Sequence, residues 1–213
     1  MRPVIRRARP DDVEFLVWVT MAATRSHLPR GFWDLLEPAS ERDRHAVIRA
    51  LLGAEKPSWW HWKLFWIAEH DGRPGAALSG FDPTRLASPN AAVPAAAAAC
   101  GIDGDRLAAA FRRCEPLFDC FHEPAAGAWV VESVATHPDA RGRGLAGALV
   151  EHVLAEGRAG AHAIAQLSLL IGNERAQRVY ERAGFAITAE KRSPSFEAAL
   201  GGPGIAQMTA WLG

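Results

Sequence analysis

Apolar and polar positions alternate in blocks along the chain, and the blocks change period in a regular way. Val4-Ile5-Arg6-Arg7-Ala8 reads as a first strand, and Arg9-Pro10-Asp11-Asp12 then opens a helix that carries Val13, Leu16, Val17 and Met21 on one face. A second helical region runs from Phe32 to Leu52, interrupted at Pro38-Ala39-Ser40, and Ser40 to Asp43 resembles a capping box. Asp71-Gly72-Arg73-Pro74 reads as the turn of a hairpin whose strands are Phe65–His70 and Gly75–Phe81. Trp129–Thr136 is an apolar run of strand length, followed by an alanine- and leucine-rich helix from near Leu145. A further strand over Ala163–Ile171 leads into a helix that begins at Asn173. Phe185–Ala189 and Ile205–Trp211 close the series as strands, separated by a loop with Ser193-Pro194-Ser195 and Gly201-Gly202-Pro203-Gly204.

Residues 82–127 fit this rhythm least. Pro83, Pro89, Asn90 and Pro94 predict an irregular connection, and Asp103-Gly104-Asp105 precedes a helix over Leu107–Phe118. The segment reads as a helix-bearing insertion. It could be a lid over a site, a dimer contact or a surface elaboration. Trp59, Trp60, Trp62 and Trp66 cluster ahead of the hairpin, where they either fill the core or line an apolar pocket.

Composition narrows the classes. The 213 residues suffice for one well-buried domain spanning 1–213. Lys and Arg total 24 and Asp and Glu total 24, a net charge of +0, which gives no electrostatic reason to expect nucleic acid or an anionic membrane as partner. No stretch has the length and apolarity of a membrane span, and Met1 to Arg7 lacks the apolar core of a signal peptide. The 3 cysteines, an odd number, argue against a disulfide framework and for a reducing, cytoplasmic setting. Cys114, Cys120 and His122 match no zinc spacing, so no metal is expected.

The candidate chemistry lies in two motifs. The first is the turn after the Trp129–Thr136 strand, His137-Pro138-Asp139-Ala140-Arg141-Gly142-Arg143-Gly144-Leu145-Ala146-Gly147. Such a turn leaves backbone N–H groups unpartnered at a helix N-terminus, where the dipole also favours an anion. Gly142 and Gly144 let a phosphate approach the backbone, while Arg141 and Arg143 add charge. The spacing is neither G-x-x-x-x-G-K-[ST] nor G-x-G-x-x-G, which disfavours a nucleotide P-loop and a dinucleotide fingerprint. The second motif is Asn173-x-x-Ala176-x-x-x-Tyr180-x-x-x-Gly184-Phe185. Asn173 is a good N-cap, Ala176, Val179, Tyr180 and Ala183 share a helix face, and Gly184 is placed to end the helix left-handed.

Taken together, R-x-x-G-x-A over Arg141–Ala146 and the Asn173–Phe185 pattern resemble the cofactor site of the GCN5-related N-acetyltransferase (GNAT) superfamily. The resemblance implies an α/β (α+β) fold with a mixed, partly parallel sheet of about seven strands flanked by helices. In that fold the fourth and fifth strands splay apart and hold acyl-CoA between them. Backbone groups of Val134, Ala135 and Thr136 would meet the pantetheine arm, and N–H groups from Arg141 to Gly147 would hold the pyrophosphate. Asn173, Ala176 and Tyr180 would complete the cofactor site. The implied partners are acetyl-CoA or CoA and an unidentified amine, either a small molecule or a protein N-terminus or lysine. Many members dimerise, so a homodimer is compatible with the resemblance.

Tyr180, the 1 tyrosine of the chain, occupies the family's general-acid position; it could instead pack on the pantetheine or in the core. Glu132 lies in an otherwise apolar strand, on the face of Val130 and Val134 by period two, and desolvation there would raise its pKa towards that of a base. It could equally be a structural or solvent-facing carboxylate. His122 and Glu123 are alternatives, and some members of the superfamily have no dedicated base. The reaction class implied is acyl transfer from a thioester to an amine within a ternary complex. A catalytically silent acyl-CoA-binding regulatory module would carry the same motifs.

Overall fold

The computed structural model describes residues 3–36 and 40–213. A single sheet of seven strands, in the order β1-β2-β3-β4-β5-β7-β6, runs through it. The strands are β1 (Val4–Arg7), β2 (Phe65–His70), β3 (Arg73–Phe81), β4 (Trp129–Thr136), β5 (Ile164–Leu170), β6 (Ala186–Arg192) and β7 (Gly204–Trp211). All neighbouring pairs are antiparallel except β4 and β5, which run parallel. The helices are α1 (Val13–Arg25), α2 (Phe32–Leu36), α3 (Glu41–Leu52), α4 (Pro89–Ala99), α5 (Gly104–Phe118), α6 (Leu145–Ala159), α7 (Glu174–Arg182) and α8 (Pro194–Leu200).

Local chemistry explains most boundaries. Asp71 and Gly72 both take positive φ, the two-residue turn that matches the twist of the β2–β3 hairpin. Ser40, Asp103, Asn173 and Ser193 each accept a backbone N–H at a helix start. Gly184, at φ 95°, ends α7: its N–H bonds the Glu181 carbonyl and that of Phe185 bonds the Tyr180 carbonyl, a Schellman closure. Of the break expected at Pro38-Ala39-Ser40, Pro38 and Ala39 lie outside the described residues, and Ser40 is the extended N-cap of α3.

Two helices depart from expectation. Residues 89–99 form α4 rather than an irregular connection. Pro89 sits in its first turn, where the missing N–H costs nothing, and the alanines supply helix propensity that carries the chain past Pro94. Pro194–Leu200 forms α8 where a loop was expected; Phe196, fully buried, anchors it against Leu117 and Cys120.

The two faces of the sheet bury different cores. α1 to α5 cover one face, where Leu16, Trp33, Ile48, Phe65 and Ile67 are buried. α6 and α7 cover the other, over Leu78, Val131, Leu149, Val153 and Met208. The Trp cluster divides between them: Trp60 and Trp62 pack on the first core, Trp66 on the second. On β3, a Cβ added at Gly80 would lie 2.4 Å from the Val153 side chain and 3.1 Å from Trp129. Gly80→Ala is therefore expected to destabilise the protein by about 1–3 kcal/mol through overpacking. Urea denaturation checks this; an unchanged midpoint would show that α6 can yield here.

Candidate functional site

β4 and β5 are paired only at their beginnings, Trp129 with Ala165 and Val130 with Gln166. Beyond that point they separate, and a cleft of about 1610 Å³ opens between them. The edge of β4 facing this gap has no strand to pair with. Thr136 stands opposite Ala76, and the next N–H, that of His137, donates to the Gly75 carbonyl on β3. By strand alternation the backbone groups of Val134 and Thr136 face the cleft and those of Ala135 face β3. An extended ligand arm thus finds two residues' worth of unpaired backbone on β4, while Ala135 offers only its side.

A β-bulge alters the expected facing of Glu132. Ala135 opposes Ala77 and Glu132 opposes Ser79, so Ser133 and Val134 together stand against Leu78, with Ser133 at φ 53°. Glu132 keeps the face of Val130 and shares it with Ala135, on the side covered by α1; Val134 turns to the α6 side and packs with Val131. The period-two reading that set Glu132 and Val134 on one face is corrected by this extra residue. A serine gives no warning of it, since a positive φ is usually advertised by Gly or Asn.

Glu132 lines the cleft, half-buried, and no described side chain ion-pairs or hydrogen-bonds with its carboxylate. Burial alone pushes its pKa up to about 7. Tyr180 comes from the opposite face on α7 and is 7% exposed, with its ring 6.2 Å from Phe185. Burial pushes its phenol well above the ordinary value, so it stays protonated at neutral pH. Glu132 and Tyr180 therefore enter one cleft from the two faces of the sheet, a carboxyl group shifted upward by burial and a phenol that keeps its proton.

The glycine turn forms the end of the cleft beyond β4. The first hydrogen bond of α6 joins Ala148 N–H to Gly144 C=O, so among the described residues the N–H groups from Gly142 to Gly147 have no partner. Gly142 and Gly144 take φ of 78° and 75°, and a Cβ at either, or at Gly147, would meet nothing within 4 Å. Arg141 and Arg143 are exposed and form no ion pair with any described residue. Leu145 is buried under the turn and Ala146 is half-buried beside it. Six free donors, two guanidinium groups without an ion pair and a helix N-terminus form a donor set of the kind that suits an anion.

Asn173, at the start of α7, is more occupied than its sequence position suggests. Its Oδ1 accepts from Ala176 N–H at 3.1 Å, and its Nδ2 donates to Ser26 Oγ at 2.6 Å. The Ala176 N–H is thereby used, which leaves that residue's small side chain as its offering to the cleft. The Ser26 bond ties the end of α1 to the β5–α7 junction. Ser26 takes φ 57° to make this contact. Sequence reasoning did not find this bridge, because a serine after a helix carries no signal of a partner 147 residues away.

His122 and Glu123 lie along the cleft, with His122 held by a 3.1 Å contact between Nε2 and the Ile205 carbonyl. The three cysteines remain apart from the chemistry; burial pushes the Cys114 thiol up to about 11. Among the described residues no cluster of His, Cys, Asp and Glu is placed to hold a metal ion. No described helix is long and apolar enough to cross a membrane.

The chain was compared with known proteins. No curated protein matches it. Solved structures do share its fold. An acetyltransferase crystal structure superposes with a TM-score of 0.69 at 17% identity, over 99% of this chain and 100% of that one. An N-acetyltransferase from Staphylococcus aureus Mu50 gives 0.64 at 16% identity, over 97% and 100%. A putative acetyltransferase from Salmonella typhimurium, solved with its cofactor acetyl-CoA, gives 0.53 at 16% identity, over 100% and 95%. The sequence itself matches the profile of the Acetyltransferase (GNAT) family over residues 33–185, a span that includes the bulged strand, the glycine turn and the Tyr180 helix. The chain belongs to the Acetyltransferase (GNAT) family.

Proposed function

We propose that the protein is an acyl-CoA-dependent N-acyltransferase that moves acetyl from acetyl-CoA to a primary amine by direct attack in a ternary complex. It works as one domain over residues 1–213. The observation that carries this reading is the cleft between β4 and β5, with an unpaired carboxylate, a protonated phenol and six free N–H donors along it. The pyrophosphate of the donor sits on the N–H groups from Gly142 to Gly147, between Arg141 and Arg143. Its pantetheine arm pairs with the free backbone of Val134 and Thr136 and passes Ala176. Asn173 holds the mouth through its bond to Ser26.

The chemistry follows from the charge states. An ammonium cannot attack, so Glu132 accepts its proton, directly or through a water. The amine nitrogen then forms a bond to the thioester carbonyl carbon, the C–S bond breaks, and Tyr180 gives its proton to the departing thiolate. Protonated and deprotonated groups are thus on the correct sides before reaction.

The sign of the pH dependence is fixed by this assignment. Glu132 must be ionised to accept a proton, so kcat/KM rises with pH through about 7 and levels above it. Glu132→Gln is expected to lower kcat/KM by about 10²-fold at pH 7.5 and to remove the limb near pH 7. Initial rates from pH 5.5 to 9 check this. A limb near pH 7 that persists in Glu132→Gln would exclude Glu132 as the base.

A further inference from the structure

The acceptor half of the cleft differs in character from the donor half. The free guanidinium groups of Arg141 and Arg143 belong to the glycine turn. On the α1–α5 side the lining includes the rings of Phe32, Trp33, Trp59, Trp60, Phe118 and Phe121, beside the polar His27, Asn90 and His122. The rings brace one another, Trp33 against Trp60 at 5.5 Å, Phe118 against Phe121 at 5.8 Å and Phe32 against Phe121 at 6.3 Å. Trp59 is held at 5.5 Å by Phe81 of β3. Phe118 and Phe121 are 42% and 39% exposed, two of the few large apolar side chains left open to water among the described residues. Both lie on this cleft, where exposure of an aromatic pair calls for an apolar ligand.

Charge places the amine of that ligand. Three carboxylates line the cleft; Glu123 and Glu151 are exposed, and Glu132 alone lies inside. An acceptor with one cationic head and an uncharged body fits this layout: the head goes to Glu132, and aromatic faces attract it on the way. The further cations of a polyamine would meet only Glu123 and Glu151, which are exposed and screened by water.

We infer that the acceptor is a small primary amine carried on an aromatic or similarly bulky apolar body, its amino group at Glu132 and its body against the ring wall that runs from Trp60 past Phe32 to Phe121 and Phe118. This rests on the proposed N-acyl transfer and names its substrate class. It assigns Phe118 and Phe121 as specificity residues, since they touch the body of the acceptor and not the reacting atoms.

The test is release of CoA thiol from acetyl-CoA in the presence of 2-phenylethylamine, tryptamine, spermidine or a lysine-containing peptide, with hexanoyl-CoA as a second donor. The aromatic amines are expected to exceed spermidine and the peptide in kcat/KM by about 10- to 100-fold, the worth of burying one large apolar group. Phe118→Ala/Phe121→Ala is expected to raise KM for tryptamine about 10-fold with kcat and acetyl-CoA affinity retained, and both rings are exposed enough for the variant to fold. Preference for spermidine or the peptide would overturn this inference and leave N-acyl transfer standing. A strong preference for hexanoyl-CoA with any amine would overturn it too, by giving the aromatic wall to the acyl chain. Acetyl-CoA binding without turnover of any amine would overturn the proposed function itself.

Discussion

Tyr180→Phe is expected to lower kcat by about 10²–10⁴-fold while leaving acetyl-CoA affinity nearly unchanged, the range that positioned proton transfer contributes. The effect is one of protonation. The phenol is buried on α7, and burial holds its proton well beyond neutral pH, so the proton is present when a thiolate forms beside it. Phenylalanine keeps the ring, its contact with Phe185 and the packing of α7, and removes only the hydroxyl. No described residue hydrogen-bonds that hydroxyl, so its loss orphans no partner and stability should change little. Stopped-time assays of CoA release beside a titration of acetyl-CoA separate the two effects. Unchanged kcat would assign Tyr180 to packing alone.

Gly144→Glu acts at the other end of the cleft and is expected to weaken acetyl-CoA binding by at least about 100-fold. Gly144 caps α6 in the left-handed region, and a Cβ there meets no neighbour. The fold is therefore asked to bear only the backbone strain of a non-glycine residue, about 1–2 kcal/mol. The new carboxylate stands among N–H donors proposed to hold the pyrophosphate, and like-charge juxtaposition there costs several kcal/mol. Gly144→Ala separates the terms, because it carries the same strain without the charge and should retain most of the binding. Binding by Gly144→Glu equal to that of the Ala variant would mean that phosphate does not sit on this turn.

How much of this could be read from residues depends on whether the signal was local. The glycine turn and the Asn173–Phe185 helix announce themselves, because caps, free N–H groups and αL positions are set by a few adjacent residues. The hairpin at Asp71-Gly72 is legible for the same reason. The bulge at Ser133 is not, since its cause is the mismatch of β4 against β3 and the chain carries a serine where glycine would have advertised it. α4 was hidden by its prolines, although one lies in the harmless first turn. α8 was hidden by its shortness, seven residues held mainly by the burial of Phe196. The division of the tryptophans between core and cleft, and the bridge from Ser26 to Asn173, are products of tertiary packing. The proposed acceptor side is made largely of such elements, so sequence patterns point to the proposed donor side and say little of the acceptor side.

The most direct test of the account is a calorimetric titration of the purified protein with acetyl-CoA, with CoA and ATP as companions. Saturable binding of acetyl-CoA and CoA at one site per chain, with ATP far weaker, is the predicted result. ATP bound as tightly as acetyl-CoA, or no binding of either CoA species, would contradict the cleft between β4 and β5 as an acyl-CoA site.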